Sequence, residues 1–119
     1  MTADAFTDLA LRLRAFAAER DWDRFHTPKN LAMALTGEAG ELAAEFQWLE
    51  GETSGRLDAD QRERVRQELA DVLLYLVRLA DRLDIDLIQA AHDKIDLNGQ
   101  RYPAERVRGS ARKYTAYES

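Results

Sequence analysis

The sequence predicts an all-α protein of a single domain, and three observations support this interpretation. Apolar residues recur at steps of three and four along most of the chain, only two prolines and six glycines interrupt them, and strand-like alternation is absent. The 119 residues are 45% hydrophobic and 33% charged, which is typical of one globular domain that can bury a core. We therefore expect a four-helix bundle-type fold over residues 1–119.

The first two helices are predicted by apolar stripes and a cap. The first stripe consists of Phe6, Leu9, Leu13, Phe16 and Ala17. Residues 20–27 break the pattern, and Thr27 followed by Pro28 is typical of an N-cap with proline at the first helical position. The second helix is expected to run to about Leu49. Its inward-facing residues are Leu31, Leu35, Leu42 and Phe46.

Two further helices follow a clear break at residues 51–55 (GETSG). Asp58 with Gln61 resembles a capping box and begins the third helix, which is the longest. Asp86 with Gln89 repeats that signature and begins the fourth, which should end near Asn98 and Gly99. Residues from about 100 onward have no sustained period, so we expect an irregular tail over the surface or over a neighbouring subunit.

Composition excludes several classes of function. The chain contains no cysteine, which rules out disulfides, thiolate zinc sites and cysteine nucleophiles. A net charge of −5 argues against a nucleic-acid polymer as partner, although a divalent cation would still allow a single nucleotide to bind. No apolar run reaches membrane-spanning length, and charged residues interrupt the N-terminal stretch. We expect a cytoplasmic protein that binds no membrane.

The residues that could carry chemistry are acidic and lie on the second and third helices. Glu38, Glu41 and Glu45 are spaced by three and four, so they project from one helical face. Glu68 and Asp71 repeat the spacing among apolar neighbours on the third helix. The apolar stripe of the second helix puts Glu38 on or beside its buried side. Two carboxylate pairs should therefore meet in a shared interior.

An interior lined by these carboxylates favours a site for a divalent cation such as Mg²⁺ over a di-iron site or a solvated acidic face. Four buried carboxylates would repel one another and lose hydration unless a cation joined them, and oxygen-only ligands suit Mg²⁺ or Mn²⁺. Gly37 and Gly40 each cost about 1 kcal/mol relative to alanine, which close approach of a backbone or a ligand would explain. A ferritin-like di-iron site needs Glu-x-x-His, and neither histidine follows a glutamate by three. An isolated acidic pair is usually only a solvated face, and Glu45, Glu50 and Glu52 fit that description.

Several stretches of the chain resemble one enzyme superfamily. They are FHTPKNLAMALTGEAGELAAEFQW, QELADVLLYLVRLA, KIDLNGQRYP and RGSARKYT, which together extend over most of residues 16–114. The pattern E-x-x-E, spacer, E-x-x-D, combined with these flanking motifs, resembles the MazG-like all-α nucleoside triphosphate pyrophosphohydrolases. Within that superfamily the chain is most similar to the dCTP pyrophosphatase branch.

The resemblance implies Mg²⁺-dependent hydrolysis of a nucleoside triphosphate between its α- and β-phosphates, with Mn²⁺ as a substitute metal. The implied metal ligands and catalytic acids are Glu38, Glu41, Glu68 and Asp71. Trp22, Trp48, His26 and Asn30 match the base and sugar pocket, whereas Tyr75, Lys94 and Asn98 match residues near the phosphates. Each tryptophan could instead cap the hydrophobic core, His26 could serve only a local hydrogen bond, and Lys94 could pair with Asp93 or Asp96.

Substrate and assembly remain expectations. The resemblance implies dCTP or a modified dCTP, although dUTP or noncanonical triphosphates would use the same metal site. A helical interaction protein, or a sensor that binds a nucleotide without cleaving it, are the non-enzymatic alternatives. Family members pair into dimers and dimers of dimers, and the wide apolar faces of this short chain agree with a homo-oligomer. Arg112 and Lys113 would then be candidates to reach the phosphates of a neighbouring subunit.

Overall fold

The computed structural model describes residues 4–112, which form helices and no strand. The helices are α1 (Ala5–Glu19), α2 (Pro28–Ala44), α3 (Ala59–Arg82), α4 (Leu87–Arg101) and the one-turn α5 (Ala104–Val107). Two 3₁₀ turns, Asp23–Phe25 and Thr53–Gly55, lie in the connections before α2 and α3. The predicted all-α class and the four predicted long helices are confirmed.

The helices begin where the capping signals placed them. The Thr27 hydroxyl accepts a hydrogen bond from the Asn30 N–H at 3.1 Å, and Pro28 occupies the first helical position of α2. Asp58 and Gln61 form a reciprocal capping box at α3. Asp86 caps α4 by accepting from the backbone of Gln89 at 3.0 Å. Each bond satisfies a backbone donor that the first turn of a helix leaves free.

Two helices end in the same way, with an aspartate in the left-handed region. Asp21 follows α1 and Asp84 follows α3, each with φ of 55°. Beyond them, the Trp22 N–H donates to the Ala17 carbonyl and the Ile85 N–H donates to the Ala80 carbonyl, both at 2.9 Å. This is the Schellman arrangement, in which glycine is the usual left-handed residue. It reverses the chain after α1 and fixes the start of the segment that carries Trp22.

The structure differs from the sequence prediction at two helix ends. The helix α2 ends at Ala44, and residues 45–48 form turns instead of continuing to Leu49. Phe46 and Leu49 are still half-buried, so the apolar pattern continues although the helix does not. At the other end of the chain, α4 runs to Arg101 and α5 forms within the segment that was predicted to be irregular.

The chain divides into two compact units. The first runs through Ile85 and contains α1, α2 and α3, with α3 packed against both other helices. Its buried apolar residues are few and mostly small: Ala17, Leu31, Val65, Val77 and Ala80. The second unit begins at Asp86 and contains α4 and α5. Within residues 4–112, no helix combines the length and apolar character that crossing a bilayer requires.

Candidate active site

An acidic cluster lies where α2 packs against α3. Carboxylate oxygens of Glu38, Glu41 and Glu68 all lie within 4.8 Å of one another. Glu38 and Glu41 are adjacent on α2 because a step of three residues returns to the same face of a helix. The predicted meeting of acidic groups from two helices is therefore confirmed for these three residues.

The electrostatics of the cluster is that of uncompensated negative charge. Among the described residues, no hydrogen-bond partner reaches the buried Oε2 atoms of Glu38 and Glu68. Burial raises the pKa of both carboxyl groups, and the negative charge of Glu41 raises each further. Asp71 also raises both pKa values, so its carboxylate contributes to the same field.

These residues fit a divalent cation. Buried polar atoms are normally hydrogen-bonded, so two buried carboxylate oxygens without partners mark a place where a ligand is expected. The donors are all oxygens and come from two helices, which is the donor set that Mg²⁺ and Mn²⁺ prefer. Glu38, Glu41 and Glu68 would hold the ion, with Asp71 adjacent to them.

The glycines beside the cluster are not explained by packing within residues 4–112. A Cβ added at Gly37 or Gly40 would meet no atom of these residues within 4 Å. The predicted close approach of another backbone or a ligand is therefore not provided by this part of the chain. A ligand or a second subunit remains as the group that would need this space.

Glu45 shares the acidic face of α2 but is already paired. Its Oε2 accepts a hydrogen bond from Nε of Arg64 on α3 at 3.1 Å. Although this partner offsets the charge of Glu45, that charge still raises the pKa of Glu68. Glu45 is therefore not simply part of a solvated face, as the sequence suggested, since its side chain is only 22% exposed and is ion-paired.

The segment between α1 and α2, together with the first turn of α2, contains three of the four predicted base-pocket residues. The rings of Trp22 and His26 are 6.1 Å apart between centroids, and Phe16 meets Trp22 edge-on at 5.6 Å. Asn30 at the start of α2 donates its side-chain N–H to the carbonyl of Phe25 at 3.0 Å. Trp22 and His26 are thus brought together, and Asn30 stabilises the turn that presents them.

The other predicted residues are placed as follows. Trp48 lies in the turns after α2 and is 88% exposed, which excludes a role as a cap on the core of this chain. Tyr75 is half-buried on α3, one turn beyond Asp71. Lys94 and Asn98 lie one turn apart on α4 in the second unit. Lys113 lies outside the described residues.

The sequence model of the MazG-like family matches residues 34–116, which is more than half of the chain and includes every residue of the acidic cluster. The chain belongs to the MazG-like family. The match begins after the segment that carries Trp22 and His26. The family match therefore covers the acidic cluster. It does not cover the segment with Trp22 and His26, for which the evidence is the other comparisons and the geometry of the segment.

Individual relatives sharpen this MazG-like assignment. The chain is 54% identical over 107 residues to dCTP pyrophosphatase 1 of Bos taurus and 53% identical to that of Homo sapiens. These alignments cover 87% of this chain and 63% of each relative, so the chain spans less than two thirds of their length. A crystal structure of a pyrophosphatase from Archaeoglobus fulgidus superimposes with a TM-score of 0.80 at 35% identity. That match covers 87% of this chain and 96% of the other.

The sequence interpretation missed one feature beside the predicted base-pocket residues, the cluster around Arg78. This residue lies on α3 and is only 4% exposed, with apolar Val77 beside it and Ala80 nearby. Its guanidinium contacts Asp23 and His26, which precede it by more than fifty residues. The only sequence signal was an arginine flanked by Val77 and Leu79, and nothing local indicates which residues it meets.

Proposed function

We propose that this protein is a Mg²⁺-dependent nucleoside triphosphate pyrophosphohydrolase that converts dCTP, or a modified dCTP, to the monophosphate and pyrophosphate. The observation that carries the proposal is the convergence of Glu38, Glu41 and Glu68 with two unsatisfied buried oxygens. The choice of nucleotide is supported by the 54% identity to dCTP pyrophosphatase 1. Hydrolysis in the cytoplasmic nucleotide pool is part of the same proposal.

The acidic residues would hold the metal, and one of them would accept a proton from the attacking water. When bound, Mg²⁺ neutralises phosphate charge and lowers the pKa of an associated water. Water oxygen then attacks the α-phosphorus, the bond to the bridging oxygen breaks, and pyrophosphate leaves. A carboxylate of the cluster would accept the water proton, as an acidic side chain positioned beside the attacking water can.

The remaining predicted residues would bind the nucleotide. Trp22 and Trp48 would stack on the base, at about 1–3 kcal/mol per stacked base, with His26 and Asn30 contacting base and sugar. The exposure of Trp48 supports this assignment because its ring is free to meet a ligand or a second subunit. Tyr75, Lys94 and Asn98 would contact the phosphates.

The reaction is tested by incubating the purified protein with canonical and modified triphosphates, with and without Mg²⁺, and separating the products by chromatography. Mg²⁺-dependent formation of dCMP and pyrophosphate from dCTP is the expected result. Preferred cleavage of dUTP or of a noncanonical triphosphate would keep the mechanism and change the substrate. Release of inorganic phosphate instead of pyrophosphate would contradict the proposed bond cleavage.

Two non-enzymatic functions make opposite predictions. A nucleotide sensor would bind dCTP with Mg²⁺ by calorimetry but produce no dCMP. A helical interaction protein would bind neither dCTP nor Mg²⁺. Its acidic cluster would then destabilise the fold and serve no function. Binding and product analysis on the same sample therefore separate all three functions.

We also propose a homo-oligomer, with a tetramer as the expected state. The first unit buries few large apolar side chains, while Leu11, Phe16, Met33 and Leu69 are each at least 45% exposed. Leu9, Leu13, Phe16 and Leu74 line an apolar groove of about 360 Å³ between α1 and α3. A second subunit would cover such surface. Light scattering at micromolar concentration tests the assembly, and a monomer would contradict it.

A further inference from the structure

The buried Arg78 is paired on every side of its guanidinium. Its Nη2 donates to Oδ1 of Asp23 at 2.6 Å, and its Nη1 lies 3.7 Å from Oδ2 of Asp81. Its Nε donates to Nδ1 of His26 at 3.2 Å. A charge removed from water is tolerated only when partners of this kind surround it. The position of Arg78 therefore dictates the position of its partners.

Two of these partners belong to the segment that carries the aromatic residues. Asp23 begins the 3₁₀ turn and His26 follows it, so one α3 side chain holds both ends of the turn. Arg82, one helical turn further along α3, donates from Nε to the backbone carbonyl of His26 at 3.1 Å. The side chain and the main chain of His26 are thus both fixed from α3.

The bond to Arg78 also determines which imidazole nitrogen carries the proton. A guanidinium N–H is always a donor, so Nδ1 of His26 must offer its lone pair and the ring hydrogen must lie on Nε2. Burial lowers the pKa of His26 below its ordinary 6.5, and the charges of Arg78 and Arg82 lower it further against the opposing effect of Asp23. His26 is therefore neutral at pH 7.

We propose that Arg78 is a positioning residue that locks His26 as the Nε2–H tautomer, so that the base pocket presents a fixed hydrogen-bond donor. This inference rests on the proposed function. The donor points away from Arg78, because Nε2 lies across the ring from Nδ1. An unprotonated ring nitrogen, such as N3 of cytosine, accepts from it. Uracil carries a hydrogen on N3 and would face the donor with another donor, so the lock selects cytosine over uracil.

The first test is the ¹⁵N spectrum of the histidine side chains at pH 7.5. His26→Gln identifies the signal of His26 against that of His92. Wild-type protein should show His26 as the Nε2–H tautomer, and Arg78→Met should shift it toward a mixture of tautomers. A wild-type signal from Nδ1–H would overturn the proposal even in an active enzyme. The spectrum does not depend on turnover, so absence of hydrolysis would refute the proposed function alone.

The second test is the ratio of kcat/KM for dCTP to that for dUTP, with dissociation constants for both nucleotides measured by calorimetry. Arg78→Met should lower this ratio about tenfold, the effect of one neutral hydrogen bond, mainly through the KM for dCTP. Arg14→Met is the matched control, because it removes the arginine that bonds Asp81 at 2.7 Å without touching His26. An unchanged ratio in Arg78→Met would overturn the proposal.

Two variants at position 26 test the same proposal if Arg78→Met does not fold. The amide of His26→Gln can accept from Arg78 with its oxygen and donate with its nitrogen, so the ratio should stay within about threefold of wild type. The side chain in His26→Leu can neither accept from Arg78 nor donate to the base, so the ratio of kcat/KM for dCTP to that for dUTP should fall about tenfold. Equal ratios in these two variants would overturn the proposed role of the donor.

Discussion

The helix α3 carries two clusters of buried charge, and they are built in opposite ways. Around Glu68 the charges are all negative, and two buried oxygens have no partner among the described residues. Around Arg78, hydrogen bonds and ion pairs to Asp23, Asp81 and His26 surround the cation. Buried charge is tolerated only when it is compensated. The first cluster therefore needs an added cation, whereas the second is complete within the chain and serves to hold a neighbouring segment in place.

The largest expected effect is the loss of turnover on neutralising the incomplete cluster. Glu38→Gln and Glu68→Gln each remove a metal ligand, so kcat/KM should fall about 10²- to 10³-fold. The melting temperature measured without metal should stay the same or rise, because each change relieves repulsion between like charges. Glu50→Gln, at an exposed position after α2, is the control and should retain activity. Full activity in Glu68→Gln would contradict the assignment of Glu68 as a metal ligand.

Metal binding should stabilise the first cluster and leave the second unaffected. A ligand at a hundred times its Kd stabilises the folded state by about 2.7 kcal/mol, so saturating Mg²⁺ should raise the melting temperature of the wild type. Glu38→Gln should lose this shift, and Arg78→Met should keep it. Thermal unfolding at constant ionic strength, with Mg²⁺ or with EDTA, provides the measurement. An equal shift in all three proteins would indicate a site elsewhere.

Breaking the complete cluster should cost stability, in contrast to the acidic one. Arg78→Met leaves Asp23 and Nδ1 of His26 without their charged donor, at about 2 kcal/mol of unfolding free energy. Urea denaturation without metal measures this cost. Arg66→Met is the control, because the pair of Arg66 with Glu63 is solvent-exposed and contributes little. Similar losses in both variants would contradict the structural role of Arg78.

The smallest expected effect is a pH dependence of opposite sign in the two clusters. The pKa of Glu38 is raised above 4.5, so without metal the wild type should lose stability relative to Glu38→Gln as pH rises through that folded value. The pKa of Asp81 is lowered below 3.8, chiefly by the hydrogen bond from Arg14, so its contribution is complete above 3.8. The higher stability of the wild type relative to Asp81→Asn should vanish as pH falls through the lowered pKa of Asp81. Urea titrations in EDTA between pH 3 and 7 give both differences, and slopes of the same sign would contradict this account.

The helix starts and the acidic pair on each helix could be predicted because their signals are local, and the apolar stripes beside the acids indicated that the two pairs face each other. A cap and the residue three positions later, or two acids on one helical turn, are near in sequence and in space. The end of α2 could not be predicted in this way, since Phe46 and Leu49 keep the apolar spacing of a helix while packing as turns. Contacts with α3 at this point, such as the ion pair between Glu45 and Arg64, join residues that are far apart in the sequence.

Arg78 shows the same limit more strongly. An arginine between Val77 and Leu79 has the spacing of a solvated position, and its partners are 52 and 55 residues away. Only the packing of α3 brings them together. A periodicity analysis of one helix therefore cannot separate a buried, fully paired arginine from an exposed one.

The exposure of Trp48 has a practical consequence for spectroscopy. The chain contains two tryptophans, and Trp22 lies against Phe16 and His26 whereas Trp48 is 88% exposed. In Trp22→Phe the remaining indole fluorophore would emit at long wavelength, as water-exposed indoles do. A blue shift on adding nucleotide, or on raising the protein concentration, would then report directly which partner covers this ring.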